Sequence, residues 1–337
     1  MGNIDNARKD KQVVVLSMGG TIASRHDAES GRTRILSSGQ ELIDSIPELG
    51  RIAQIRVDTV FTIPSFLIRP SDIEQLAHAA MAHLARQEVA GIVITHGTDT
   101  MEESSFLLDL LVDTQDKPIV FTGAQLSADM QGSDGPRNLV NAVRLAASDA
   151  ARGLGVVVAF ADSIFAARDV TKAHTSRLEP FVSTRGCKLG EISRDDIRIY
   201  GPANKSPTYD VSSLTAQVGL VHLSMGADDV GYLRFCLEQG MRGLVIQSFG
   251  IGNANPEIVE LVTQAVGGDV PVVITSRCGA GRVTPVYGHG GGQDLYDAGA
   301  IFAGDLAGEK ARLALIVLLA GRHDMESIRK EMLRIAA

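Results

Sequence analysis

Two stretches, Val13-Val-Val-Leu-Ser-Met-Gly-Gly-Thr-Ile-Ala23 and Ile92-Val-Ile-Thr-His-Gly-Thr-Asp-Thr-Met-Glu-Glu103, decide how this chain folds. Each begins as a short, unbroken run of mostly β-branched residues. Such a run is too short for a helix and too uniformly apolar for a half-exposed strand, so it reads as a strand buried on both faces. Val13–Ser17, Ile92–Thr95, Ile119–Thr122 and Val156–Phe160 share this character, while helical spacing fills Ile73–Gln87, Met101–Val112 and Arg137–Ala150. Strands alternating with helices predict a parallel sheet covered on both faces, an α/β fold. Ligands in such sheets lie beyond the carboxyl ends of the strands. That is where both stretches turn from apolar residues to glycine, threonine and aspartate.

Working outward, Thr100-Met-Glu-Glu103 has the spacing of a capping box, predicting a helix that starts at Thr100. Thr98 and Asp99 would then face the positive end of that helix. Pro136, after Gly135, suits a first helical position. From about Ser193 to Ser213 the pattern dissolves into polar, glycine and proline residues, the expected linker between two domains. A second βα series follows: Val218–Leu223, Tyr232–Gln239, Leu244–Gln247, Pro256–Val266, Val272–Thr275 and Lys310–Leu319. The expected division is a larger α/β domain over 12–195 with a mainly parallel sheet, a linker over 196–216, and a smaller α/β domain over 217–337. Gly288-His-Gly-Gly-Gly292 reads as a mobile loop.

The composition narrows the class. Length alone suggests about two domains, and with only 4% aromatic residues and no Trp their cores must be packed by aliphatic side chains. Forty acidic against 32 basic residues give a net charge of −8, without the basic stripe of a nucleic-acid surface. Cys187, Cys236 and Cys278 are widely spaced and form no CxxC pair, so neither a disulfide framework nor a zinc site is expected. The polar start lacks the apolar core of a signal peptide, and Leu313–Ala320 is too short to span a bilayer. A cytoplasmic protein with no membrane or nucleic-acid partner is the expectation.

The chemistry-bearing residues have plain readings beside functional ones. Gly19-Gly20-Thr21 is a strand-to-loop turn, or a threonine nucleophile at a strand end with backbone N–H groups nearby for an oxyanion. A threonine hydroxyl needs a base within hydrogen-bond reach to act this way. Thr98-Asp99 is a helix entry, or a hydroxyl that positions water or acts as a second nucleophile beside a carboxylate able to hold an ammonium. Lys172, in Arg168-Asp-Val-Thr-Lys172, is a solvated lysine, or the proton relay of a Thr–Lys–Asp triad whose logic parallels Ser–His–Asp. His96 reads as structural. Gly250-Ile-Gly-Asn-Ala-Asn255 does not fit the dinucleotide-binding spacing. The residues together suggest amide or acyl hydrolysis by threonine, without metal or cofactor.

These residues resemble the bacterial-type L-asparaginase/glutaminase family. Gly19-Gly20-Thr21-Ile22-Ala23 and His96-Gly97-Thr98-Asp99-Thr100 are similar to its two signature segments. The similarity continues through Ser133-Asp-Gly-Pro-Arg-Asn-Leu139 with Asn141-Ala142, Arg168–Lys172, Gly252-Asn253-Ala-Asn255 and Lys310-Ala-Arg312. The resemblance implies a two-domain α/β enzyme that hydrolyses a side-chain amide to carboxylate and ammonia. It implies Thr21 as primary nucleophile, with Thr98, Asp99 and Lys172 as a second triad. It further implies Ser65 on the substrate α-carboxylate, Asp99 on its α-amino group, and Gly20 and Gly97 as backbone open to substrate. Asn255 would be contributed across a dimer interface, in a homodimer or a homotetramer of such dimers.

Departures from the family pattern are visible too. The lid after the nucleophile, about 24–38, carries Arg25, His26, Arg32 and Arg34 but no tyrosine, and the first tyrosine of the chain is Tyr200. Phe66 stands where many members have a polar substrate contact, and no interface glutamate is evident near Gly291-Gly-Gln-Asp294. L-Asparagine is the leading substrate expectation. Glutamine, a D-amide or an amide on a larger molecule are alternatives, as is a non-catalytic small-molecule binding protein.

Overall fold

A computed structural model describes residues 11–20, 22, 24–27, 32–35, 39–194, 196–203, 205–211, 213–226, 229–321 and 323–337, with backbone alone for 25–27 and 32–35. Thr21 lies outside the described residues. The chain divides into two units, Met1–Lys205 and Ser206–Ala337.

In the first unit the elements run β1 (Gln12–Ser17), β2 (Ser24–Asp27), β3 (Arg32–Ile35), α1 (Gly39–Asp44), β4 (Gln54–Thr59), α2 (Pro70–Leu84), β5 (Val89–Thr95), α3 (Met101–Leu111), β6 (Ile119–Thr122) and α4 (Gly135–Ala146). They continue with β7 (Val156–Phe160), β8 (Ser163–Ala166), β9 (Val170–Lys172), β10 (Phe181–Ser183), β11 (Gly190–Ile192) and β12 (Ile197–Ile199). The large sheet has the order β12-β11-β8-β7-β6-β5-β1-β4. Strands β4, β1, β5, β6 and β7 are parallel, whereas β8, β11 and β12 join as antiparallel additions.

This strand order decides where a site can form. From β1 the chain leaves toward β4 on one side, and from the adjacent β5 it leaves toward β6 on the other. The loops diverge at the carboxyl ends of β1 and β5, opening a crevice at the topological switch point. The register pairs Ser17 with Thr95, so the two signature segments emerge side by side.

Both faces of the central strands are buried, as their uniform hydrophobicity predicts. One face sends Val13, Val15, Val93, Val120 and Val157 against Leu139, Ala142 and Val143 of α4 and Leu42 and Ile43 of α1. Pro136 occupies the start of α4, as its sequence position suggested. Among the described residues strand β9 pairs with β10 alone, forming a separate hairpin with Lys172 at the end of β9 beside the turn. The expected lid region contains a second hairpin, with Ser24–Asp27 antiparallel to Arg32–Ile35.

The second unit contains β13 (Val218–His222), α5 (Asp229–Glu238), β14 (Gly243–Ser248), α6 (Pro256–Gly267), β15 (Val272–Ser276), α7 (Gly292–Asp297), β16 (Ile301–Phe302), α8 (Gly308–Ala320) and α9 (Met325–Ala336). Its four strands form a wholly parallel sheet in sequential order. Leu233, Cys236, Ile258, Leu261 and Val262 of α5 and α6 pack on one face. No helix among the described residues is long and apolar enough to cross a membrane.

Three local expectations change. Ile197–Ile199, assigned to the linker, forms β12 on the edge of the large sheet, and the first unit runs to Lys205. The Thr100 hydroxyl does not cap α3; it donates to the Ser65 carbonyl at 2.8 Å, because the turn at Ser65–Leu67 packs against the helix entry. Gly288–Gly292 is a closed, hydrogen-bonded turn. Gly290 N–H donates to Asp294 Oδ2 at 2.7 Å, and Gly292 N–H to Asn253 Oδ1 at 3.1 Å. Gly290 has φ +86°, and the space of a Cβ there is filled by the Asn255–Pro256 backbone.

The α4–sheet contact depends on Gly91 of β5, where a Cβ would run into the Ala146 carbonyl at the end of α4. A backbone oxygen cannot swing aside as a side chain does. Gly91→Ala is therefore expected to destabilise the first unit by about 1–3 kcal/mol, read as a lower urea midpoint at unchanged slope. An unchanged midpoint would contradict this packing.

Candidate active site

The crevice is built from backbone first. Gly20, after β1, has φ +92°, a conformation that favours glycine. A Cβ on Gly20 would lie 2.5 Å from Gly97 N and 2.8 Å from His96 C. A Cβ on Gly97 would in turn lie 2.5 Å from Ser65 Oγ. The two signature segments and the Ser65 turn are thus stacked with no room for a side chain between them. Beyond Gly20, Ser24 Oγ donates to the Gly20 carbonyl at 2.9 Å. Ser65 is 4% exposed and its hydroxyl lies on the Gly97 side of this stack.

Thr98 and Asp99 follow Gly97 and precede α3, facing the positive end of its dipole. Lys172, at the end of β9, reaches both. Its Nζ donates to Thr98 Oγ1 at 2.8 Å and to Asp99 Oδ1 at 2.7 Å. The lysine side chain is 14% exposed and the aspartate 57%, so the ammonium is nearly enclosed while the carboxylate faces solvent. The backbone of Lys172 is held as well, its N–H donating to Glu102 Oε2 of α3 at 2.8 Å. Thr98, Asp99 and Lys172, expected from sequence as a triad, are in contact.

Gln125 escaped the sequence reading. It follows β6 by three residues, and its Oε1 accepts the Thr98 hydroxyl at 2.9 Å. Asp134 fixes the same loop by accepting the N–H groups of Gln125 and Leu126 at 3.0–3.1 Å. Asn138 of α4 bridges Asp134 Oδ2 and the Gly123 carbonyl. A usable signal existed in the polar residue just past a buried parallel strand, where ligand-facing groups gather. The Ser133–Leu139 block is thereby explained as the clamp on this loop.

Asn255 belongs to the second unit, where its Oδ1 accepts Ile258 N–H at 2.9 Å and caps α6. Phe66, beside Ser65, is 67% exposed.

His96, read as structural, is fully buried next to the Phe121 ring, 5.7 Å between centroids. Its Nδ1 lies 2.6 Å from the Gly97 carbonyl, which only accepts, so this nitrogen carries the hydrogen and donates. Nε2 has no hydrogen-bond partner among the described residues. Burial pushes the imidazole down to about 4, outweighing the upward pull of the Gly97 carbonyl.

The arrangement places a hydroxyl, an ammonium and a carboxylate in one relay beside a backbone-lined crevice. That set can orient water or a nucleophile and hold a cationic substrate group. Among the described residues no group of three or more histidine, cysteine or carboxylate side chains is arranged to hold a metal ion.

Comparisons with known proteins agree with this architecture. The family model described as Asparaginase, N-terminal, matches residues 12–205, and the Glutaminase/Asparaginase C-terminal domain matches 217–332. A probable L-asparaginase of Deinococcus radiodurans is 36% identical over 95% of this chain and 96% of its own. A glutamyl-tRNA(Gln) amidotransferase component of Pyrococcus horikoshii is 31% identical over 95% of this chain and 75% of its own. The crystal structure of a probable cytoplasmic L-asparaginase from Campylobacter jejuni superposes with TM-score 0.88 at 30% identity, covering 96% of this chain and 99% of that one.

His96 makes stability near the crevice pH-dependent. The unfolded imidazole binds a proton near pH 6.5 and the folded one only near 4. Between those values the unfolded state holds more protons, so the stabilisation is complete above about pH 6.5 and is lost as pH falls toward 4. The span amounts to about 3 kcal/mol. Urea unfolding should show wild-type stability falling relative to His96→Gln between pH 7 and pH 4; parallel curves would contradict the buried neutral ring.

Proposed function

The chain belongs to the bacterial-type asparaginase family of amidohydrolases, and we propose that it hydrolyses the side-chain amide of L-asparagine to L-aspartate and ammonia. The observation that carries this reading is Lys172 Nζ held between Thr98 Oγ1 and Asp99 Oδ1 at the switch-point crevice. In the proposed reaction Thr21 Oγ attacks the amide carbon, and the amide nitrogen leaves as ammonia after gaining a proton. Water, oriented by Thr98 Oγ, then adds to the threonine ester, its proton passes to the departing Thr21 oxygen, and collapse regenerates the Thr21 hydroxyl and releases the acid, which ionises to the carboxylate.

Binding follows from charge and shape. Asp99, partly exposed at the crevice, suits the substrate ammonium, and the Ser65 hydroxyl suits its α-carboxylate. Gly20 and Gly97 leave backbone accessible to the reacting amide. Fixing the substrate in this way can supply up to about 7–11 kcal/mol of barrier reduction through orientation. No step calls on a cofactor. Thr21 has no lid tyrosine to activate it, so the base for the first step comes from another group. We further propose a homodimer or homotetramer in which Asn255 completes the neighbouring site, and a cytoplasmic location like that named for the Campylobacter jejuni relative.

The amidotransferase relatives support a second reading, the same amide chemistry on another substrate. Ammonia release from L-asparagine, L-glutamine, D-asparagine and peptide-linked asparagine separates the readings. L-Asparagine should give the highest kcat/KM. Thr21→Ala and Lys172→Met should each lower kcat by about 10²-fold or more, with unchanged circular dichroism. Wild-type turnover by Thr21→Ala would sink the assignment, whereas preference for another amide would move it to the second reading.

A further inference from the structure

We propose that Gln125 is a positioning residue for the amide hydrolysis, holding the hydroxyl hydrogen of Thr98 so that Thr98 meets the incoming water only as a hydrogen-bond acceptor. The inference rests on the proposed amidohydrolase reading and deepens it.

Arg177, outside the triad, fixes which way the Gln125 amide points. Its backbone carbonyl lies 2.9 Å from the Gln125 side-chain amide, and a carbonyl can only accept. The amide must therefore turn its NH₂ toward Arg177 and its oxygen toward Thr98. The opposite orientation would set two oxygens face to face near Arg177. The loop that supplies this carbonyl is itself fixed, because the N–H groups of Ser176 and Arg177 donate to His174 Nδ1 at 3.1 and 3.0 Å. At its other end the Gln125 backbone is clamped by the Asp134 carboxylate.

With Oε1 facing it at 2.9 Å, the Thr98 hydroxyl gives Gln125 its single hydrogen. Lys172 Nζ, 2.8 Å away, must then be the donor toward Thr98 Oγ1. The result is a one-way chain of donors, from Lys172 through Thr98 and Gln125 to the Arg177 carbonyl, in which each bond polarises the next. A hydroxyl has one hydrogen and two lone pairs. The hydrogen goes to Gln125 and one lone pair to Lys172, leaving one lone pair for substrate or water. Thr98 thus meets an incoming water as an acceptor, which turns one O–H of that water toward Thr98 and a lone pair of its oxygen toward the acyl carbon. Gln125 itself takes no proton, and none of its bonds forms or breaks.

Without Gln125 the Thr98 hydroxyl is free to rotate and to present its hydrogen to the incoming water. Gln125→Met keeps the side-chain length and removes both hydrogen bonds. Gln125→Glu keeps an acceptor for Thr98, while it loses the donor to Arg177, adds a negative charge and sets a carboxylate oxygen against the Arg177 carbonyl. Steady-state ammonia release should show kcat about 10–100-fold lower in Gln125→Met, with KM within about twofold and a raised solvent deuterium isotope effect on kcat. Gln125→Glu should recover kcat to within about threefold of wild type. Crystal structures should show Thr98 Oγ in the wild-type rotamer in the glutamate variant and displaced or spread over rotamers in the methionine variant.

Wild-type kcat in Gln125→Met, equal loss in both variants, or an unmoved Thr98 in the methionine variant would each overturn the inference. A wild-type protein that releases no ammonia from any amide would instead overturn the proposed function. The Thr98 rotamers would still decide the role of Gln125.

Discussion

The site depends on a contact between backbones. Gly20 and Gly97 meet with no space for a Cβ on either, and Ser65 closes the far side of Gly97. The contact exists because β1 and β5 are adjacent and parallel, with Ser17 opposite Thr95, while their following loops leave in opposite directions. Two segments that end in step and then diverge leave a crevice lined by peptide groups. Any side chain in the stack would push the strands' ends apart and move Ser65 and Thr98 together. Glycine therefore serves two purposes here, admitting a positive φ at Gly20 and a close approach at both positions.

Around this contact the fold gathers groups that are distant in the chain. Lys172 lies 74 residues from Thr98, yet the β9–β10 hairpin carries it to within 2.8 Å. Its approach is set twice, by Glu102 on its backbone and by Asp99 on its ammonium. Enclosing the lysine while leaving the aspartate partly open concentrates the pair's interaction inside the protein and leaves a carboxylate edge for a ligand. His96 contributes from beneath, spending its one hydrogen on the Gly97 carbonyl and staying neutral because burial outweighs that bond.

How much of this was readable before the structure varied with the physics involved. The buried parallel strands were legible because an all-apolar run of four to six residues has few other uses, and β1, β5, β6 and β7 fall where the pattern predicted. Strands β11 and β12 were not, because three residues such as Ile197-Arg-Ile199 are too few to show a period and are specified by their neighbours. Thr100 carried a sound local signal for a cap, but the Ser65 carbonyl 35 residues away took its hydroxyl. The glycine-rich turn at 288–292 looked loose by composition, yet Gly290 is there because the Asn255–Pro256 start of helix α6 fills the space of a Cβ, and Asp294 closes the turn.

The sequence by itself determined the kinds of group present: two threonines, an aspartate and a lysine in motifs that name a family, on strands whose apolar character requires a covered parallel sheet. Only the tertiary structure decided how Thr98, Asp99 and Lys172 address one another. Hydrophobic pattern is a local property and survives reading one residue at a time. The direction of a hydrogen on Thr98 is not local; it follows from Gln125, from the Arg177 carbonyl and from Lys172, which the chain brings together across 27 to 79 positions. Hydrogen-bond polarity passes from one partner to the next, so it could be assigned only once every partner had a place.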